Sequence, residues 1–126
     1  KLLSSDLSLI FDQRIKFAGQ ITGVEGYVES SSIGLLSGLM MYNKLKMREQ
    51  KPPPKTTAMG SLISYITRKD HVKDFQPMNI NFGLFENMDI RDIRKKPKRI
   101  RDMEKKNRIA QRAESDLDKW LKSSFT

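Results

Sequence analysis

A chain of 126 residues with 37% hydrophobic side chains has the length of one ordinary domain and can bury a modest core, but it is small for an enzyme that must hold two substrates. It carries no cysteine, which excludes disulfides and zinc–thiolate centres, and its formal net charge of +9 favours anionic partners. The longest apolar run, residues 33–41, is broken by Gly34, Ser37 and Gly38 and reaches about half of the roughly 20 residues a bilayer span takes.

The first residue is Lys1, and Asp6 cuts the apolar pattern of the opening stretch, so neither a start signal nor a secretory leader is read there. The expectation is a cytoplasmic piece of a longer protein. Residues 1–16 mix apolar and polar positions and predict a short helix or loop feeding a strand at residues 15–18. Phe-Ala-Gly-Gln-Ile-Thr-Gly-Val-Glu-Gly-Tyr follows over residues 17–27, a glycine-spaced turn before a helix. Gly19, Gly23 and Gly26 let backbone approach a ligand closely, and the helix behind them aims unpaired N–H groups and its positive dipole end at the turn.

That helix is predicted from Gly23 or Gly26 to about Met47, with Tyr27, Val28, Ile33, Leu35, Leu36, Leu39, Met40 and Leu45 distributed all around it. Such a helix is expected to be buried, with Tyr27 in the core. Gly34 and Gly38, four apart, suit close approach of a neighbouring element, or helix dimerisation as the sharper alternative. Residues 46–55, charged and proline-dense, form a stiff connector; a proline-rich ligand for a partner domain is the alternative.

Thr56 or Thr57 can cap a second helix over residues 58–68, with Met59, Leu62, Ile63 and Ile66 on one side and Tyr65 in the core. Residues 70–74 end it, and His71 belongs to that polar end as a surface carbonyl cap rather than a catalyst. In residues 75–84 the turn formers Pro77, Asn79, Asn81 and Gly83 alternate with Phe75, Met78, Ile80, Phe82 and Leu84, which fits a packed loop or short strand. It either lines a pocket or is a plain structural loop.

Residues 89–126 hold thirteen Lys and Arg against seven Asp and Glu, a net +6 of the chain's +9. Ile100, Met103, Ala110, Ala113, Leu117, Trp120 and Leu121 mark an amphipathic helix there. Six positive charges fall in the eight residues 94–101. Lys95, Lys96, Lys98, Arg99 and Arg101 are candidate phosphate contacts, the alternative being a solvated face.

Residues 17–30, Thr-Thr-Ala-Met-Gly-Ser-Leu over 56–62, and Phe-Gln-Pro-Met-Asn-Ile-Asn-Phe-Gly-Leu over 75–84 together resemble, in order and spacing, the TrmFO family of folate- and FAD-dependent tRNA uracil-C5-methyltransferases, relatives of GidA/MnmG. The resemblance implies an α/β fold: the C-terminal part of a Rossmann-like FAD-binding domain over residues 1–86, itself mostly helical with few short strands, and a basic helical tail over 87–126 packed on it. It implies a flavin site at Gly19, Gln20, Thr22, Gly23, Val24 and Gly26. The Gln20 amide would meet a ribityl hydroxyl or phosphate oxygen, the N–H groups of Thr22, Gly23 and Val24 would face the pyrimidine edge, and Glu25 would turn away.

It implies FAD as cofactor, 5,10-methylenetetrahydrofolate and NAD(P)H as co-substrates, and tRNA as partner, the product being 5-methyluridine at T-loop position 54. A paralogue acting on 23S ribosomal RNA, and a non-catalytic basic RNA-binding fragment, are the competing expectations. The family's cysteine nucleophile toward uracil C6 has no counterpart here, so no catalytic residue is expected in this segment and the nucleophile would belong to a missing N-terminal portion; no metal site is expected. Asp74 stands where the family pattern suggests a basic or imidazole side chain.

Overall fold

The computed structural model describes residues 2–49, 51–68 and 75–125. The expectations placed on His71, Asp74 and the helix stop at 70–74 lie outside the described residues. Three α-helices carry the fold, α1 (Tyr27–Leu45), α2 (Ala58–Ile66) and α3 (Lys98–Phe125), with short 3-10 turns at Gln20–Thr22 and Arg91–Ile93.

The strand expected at residues 15–18 is not formed. Leu3 pairs with Leu9, Ser8 with Lys16 and Val24 with Met78, each as an isolated bridge. The physical reason lies at Leu7, whose φ of 66° turns the partner segment into the left-handed region and stops the ladder after one pair. Leu7 tolerates this because its side chain is fully buried and the turn is pinned by Asp6, whose carboxylate accepts from Ser4 Oγ, from Ser8 N at 3.1 Å and from Ser8 Oγ at 2.7 Å. Lys16, its side chain 4% exposed, closes the turn with Nζ 2.7 Å from Asp6 Oδ2. The described segment is therefore helical, and the α/β expectation finds no strand among the described residues.

α1 starts later than the earliest expected point because Gly23 is left-handed and Gly26 extended. It ends in a Schellman arrangement: Arg48 N donates to Asn43 O at 2.9 Å and Met47 N to Lys44 O at 3.0 Å, with Met47 at φ 54° where glycine is usual. Thr57 caps α2 by accepting from Gly60 N at 3.0 Å. The sequence reading gave Gly60 no role, yet a Cβ there would run into the carbonyls of Pro53 and Pro54, so the proline connector packs directly on α2. α2 stops at Ile66, short of the expected Arg68, with Thr67 as its C-cap, whose hydroxyl donates to Ile63 O at 2.7 Å.

The core gathers Leu7, Val24, Ile33, Leu36, Met40, Leu62, Ile63 and Trp120. Trp120 brings the far end of α3 into it, donating Nε1 to Lys51 O at 2.8 Å and meeting Phe125 edge-on at 5.3 Å. Nearby, Asn43 Nδ2 donates to Ser124 O at 2.9 Å, and Thr56 Oγ1 to Asp116 Oδ2 at 2.7 Å.

Two packing expectations are corrected. α1 is not buried all around: Tyr27, Val28, Leu35 and Leu45 are exposed, and a Cβ at Gly34 or Gly38 would meet nothing within 4 Å. The apolar stripe of α3 runs through Ile109, Leu117 and Trp120, while Ile100, Met103 and Leu121 face outward. Ile93, from the 3-10 turn ahead of α3, is also fully buried.

Candidate functional site

The glycine turn is built from its own backbone. Gly19 lies at φ 79° and ψ −156°, a conformation open essentially to glycine alone. The 3-10 turn after it is closed by Thr22 N to Gly19 O at 2.9 Å, Thr22 Oγ1 to the same oxygen at 2.6 Å, and Gly23 N to Gln20 O at 3.0 Å. Two of the three N–H groups expected to face a ligand, those of Thr22 and Gly23, are thus spent inside the turn. Val24 N has no backbone acceptor among the described residues. Gln20 is exposed beside Gly19, and Glu25 is exposed as well.

Gly23 has a structural duty of its own. At φ 93° it sits under the Phe75 ring, where a Cβ would collide with it, and Phe75 in turn stacks on Tyr65 at 5.7 Å. Met78 N donates to Gly23 O at 2.9 Å and Glu25 N to Met78 O at 3.3 Å, which stitches loop 75–84 to the turn.

Gly26 caps α1 without a side chain, so no hydroxyl or carboxylate satisfies the first-turn N–H groups from that position. The carboxylate of Glu29 fills the place a Gly26 Cβ would take, and its Oε1 accepts from Ile80 N at 3.2 Å. Sequence reasoning did not single out Glu29, because its partner is 51 residues away and nothing local signals the contact.

Next to this carboxylate opens a cavity of about 350 Å³. Val28, Glu29 and Ile33 of α1 form one wall, Ala58, Met59 and Leu62 of α2 another, and Ile80 the third. The three sequence blocks singled out above, far apart along the chain, converge here. Loop 75–84 takes its pocket-lining alternative through Ile80.

The basic run divides. Lys96 Nζ lies 2.6 Å from Glu104 Oε2, and Arg101 Nη1 donates to Arg94 O at 3.4 Å. Lys95, Lys98 and Arg99 are exposed and make no ion pair with the described residues. α3 has no acidic residue in its first turn, so these cations stand at the positive end of a helix dipole, where they oppose stability. Behind them Arg108 bridges Asp92 at 2.6 Å and Glu104 at 2.7 Å; it holds the Asp92 carboxyl below its usual range, Lys96 and then Arg108 do the same for Glu104, and the two carboxylates raise the guanidinium. Arg112 donates to Glu86 O at 2.6 Å and Asn87 O at 3.1 Å. Among the described residues no cluster of His, Asp and Glu could hold a metal ion, and no helix is long and apolar enough to cross a membrane.

A family model described as glucose inhibited division protein A matches residues 1–49, the turn and all of α1. The chain is 43% identical over 120 residues to the methylenetetrahydrofolate–tRNA-(uracil-5-)-methyltransferase TrmFO of Novosphingobium aromaticivorans, covering 95% of this chain and 25% of that protein. It is 42% identical over 123 residues to the same-named protein of Magnetococcus marinus, covering 98% of this chain and 26% of the relative. For that of Beijerinckia indica the identity is 45% over 131 residues, covering 95% and 28%. The chain spans about a quarter of the length of these curated relatives.

Proposed function

The chain belongs to the TrmFO family, and from that premise we propose that it is the C-terminal part of a folate- and FAD-dependent methyltransferase that forms 5-methyluridine in the T-loop of tRNA. The observation that carries the proposal is the meeting of the blocks at 17–30, 56–62 and 75–84 around one turn and one cavity.

The residues present fit a flavin. Gly19 leaves its backbone bare, since nothing lies closer to a Cβ built there than Ser30 Cβ at 3.8 Å. The exposed Gln20 amide beside it can donate to a phosphate oxygen and both donate to and accept from a ribityl hydroxyl. Val24 is fully buried and the Glu29 carboxylate already occupies the α1 N-terminus, so Gly19 and Gln20 carry the fit. When bound, the flavin supplies one-carbon transfer and redox chemistry, with 5,10-methylenetetrahydrofolate and NAD(P)H as co-substrates. This segment holds and orients it. With no cysteine here, the nucleophile toward uracil comes from the remainder of the protein.

That remainder also accounts for the bare side of α1. Tyr27, Leu35 and Leu45, alternating with Gly34 and Gly38, make an apolar face with small residues that a closely packed element can enter. Three quarters of the relatives' length lies outside this chain. In the proposal, residues 1–86 complete a Rossmann-like FAD-binding domain through that face, residues 87–126 form its basic tail, and Lys95, Lys98 and Arg99 lead a patch for RNA phosphate in a cytoplasmic enzyme.

The cradle is tested at the exposed Gln20, because a side chain at Gly23 would unseat Phe75 and one at Gly19 would strain the turn whatever the ligand. Gln20→Ala in the full-length protein should retain less FAD, read as the flavin absorbance per mole of purified protein. Wild-type occupancy in the variant sinks the cradle assignment.

A further inference from the structure

The glycine turn and the basic run leave one aromatic feature unused. Phe82 is 45% exposed at the tip of loop 75–84, stacked on Phe85 at 5.9 Å, with the ammonium of Lys106 lying 5.6 Å from its ring centroid. The loop is held by Asn81, whose Oδ1 accepts from Gly83 N at 2.9 Å while its O accepts from Leu84 N at 3.1 Å. Between this tip and α3 lies a cavity of about 290 Å³, lined by Phe82, Gly83, Asp102, Lys105, Lys106 and Ile109. On the other side of Gly83 a second, polar cavity of about 360 Å³ includes Lys55 and Arg68 in its wall.

The cations of α3 differ in what they do. Arg108 and Arg112 are consumed by Asp92, Glu104 and the carbonyls of Glu86 and Asn87. Lys105 and Lys106, with Lys55 and Arg68 across the loop, make no ion pair with a carboxylate among the described residues. An exposed ring with Lys105 and Lys106 beside it, and Lys55 and Arg68 in the neighbouring cavity past Gly83, matches an unpaired nucleotide, whose base has a π-face for the ring and whose phosphates need cations. A cavity of about 290 Å³ is at the small end of the roughly 300–1,000 Å³ typical of ligand pockets, a size that suits one base better than a larger group.

We propose that Phe82 is the stacking platform for an unpaired base of the RNA substrate, with Lys105 and Lys106 on its phosphates and Lys55 and Arg68 carrying the adjoining backbone. This rests on the RNA substrate proposed above. Asp102, exposed in the cavity lining, repels phosphate and accepts from a base N–H, so it favours a base edge such as that of uracil over a bare anion. Duplex RNA keeps its bases stacked and gains nothing from the ring. The platform therefore selects a loop.

The test uses the full-length protein and two RNAs, a hairpin of T-arm sequence with its unpaired loop and a blunt duplex of the same stem. Phe82→Leu, which keeps the contact with Phe85 and removes the π-face, should weaken hairpin binding roughly 5- to 100-fold and leave duplex binding unchanged, while Phe82→Tyr binds like wild type. Lys105→Gln and Lys106→Gln should each lower the slope of log affinity against log salt by about 0.7. Retained flavin in each variant reports that the fold is intact. Undiminished hairpin binding by Phe82→Leu, with both salt slopes unchanged, overturns the platform alone. Failure of the wild-type protein to bind the hairpin overturns the RNA substrate as well.

Discussion

α1 and α3 are the two long helices, and they treat their outer faces in opposite ways. α1 buries Ile33, Leu36 and Met40 and then presents Tyr27, Leu35 and Leu45 to solvent, with the last two 68% and 76% exposed. α3 buries Ile109 and Trp120 and covers most of its remaining surface with charge. A helix with a charged outer face is finished as it stands, whereas one with an apolar outer face lacks a neighbour. The match to the broader family model takes in residues 1–49, α1 included, and stops before α2. The same contrast appears in how each region is held. The α1 side relies on buried, shape-specific contacts at Leu7, Gly23 and Gly60, and the stretch ahead of α3 on exposed ion pairs.

The largest effect that would break the comparison is expected on the bare face of α1. Leu35→Glu changes an exposed side chain, so the stability of the 126-residue chain should move by no more than about 0.5 kcal/mol. In the full-length protein the same substitution places a carboxylate in an apolar interface with no partner, and flavin retention and solubility should both collapse. Gln111→Glu, on the exposed side of α3, should leave both measurements unchanged. A full-length Leu35→Glu protein that stays yellow and soluble would show that α1 faces water in the whole molecule too.

A smaller effect sharpens the contrast in holding forces and carries a pH signature. Burial pushes the Asp6 carboxyl up, but hydrogen bonds from Lys16, Ser4 and Ser8 outweigh it and hold the group well below the ordinary carboxylate range. A carboxyl depressed in the folded state contributes stability that is complete above its unfolded value, about 3.9, and is lost as pH falls below it. Asp6→Asn should therefore remove about 2 kcal/mol at neutral pH, less than the loss of a fully buried pair because the carboxylate still reaches water. It should also flatten the decline in stability below about pH 4. Denaturant titrations of both proteins at neutral and acid pH measure the two quantities, and parallel pH curves would remove Asp6 from the account.

How far the sequence could be read follows from the range of the forces involved. The three helices were legible because period, proline and threonine act locally: Thr57 caps where a cap was expected, and prolines separate α1 from α2. The strand at 15–18 was misread because its partner bends at Leu7, a non-glycine left-handed residue that no pattern announces. In α3 the expected stripe includes Leu117 and Trp120, which pack on the core, and Ile100, Met103 and Leu121, which do not, and it omits the buried Ile109, since an apolar residue among lysines and arginines gives no sign of which turn will find a neighbour. At the candidate site the glycine positions were legible from spacing. Glu29 and Phe82 were not, because each takes its role from a residue distant in the chain, Ile80 and Lys106; Gly60 was not, because the fold-back of the proline connector onto α2 leaves no sequence pattern.

The smallest expected effect lies in the ion pairs of the tail. Arg108 sits between Asp92 and Glu104, and with Lys96 it ties the stretch ahead of α3 to the helix. Pairs this exposed gain little over their hydrated states and are screened by salt, so Arg108→Gln should shift the global unfolding midpoint far less than Asp6→Asn, and the shift should vanish at molar salt. Its consequence is local. With the bridge gone, the 86–96 stretch keeps the Lys96 pair, the Arg112 contacts, the Arg101 bond to Arg94 O and the buried Ile93 but loses its tie to Asp92, so trypsin should cut at Arg91 and Arg94 faster in the variant than in wild type at low salt and at equal rates at high salt. A midpoint shift as large as that of Asp6→Asn would place the tail's ion pairs among the forces that hold the core. Equal cleavage at low salt would leave Ile93, buried ahead of α3, as the anchor of that stretch.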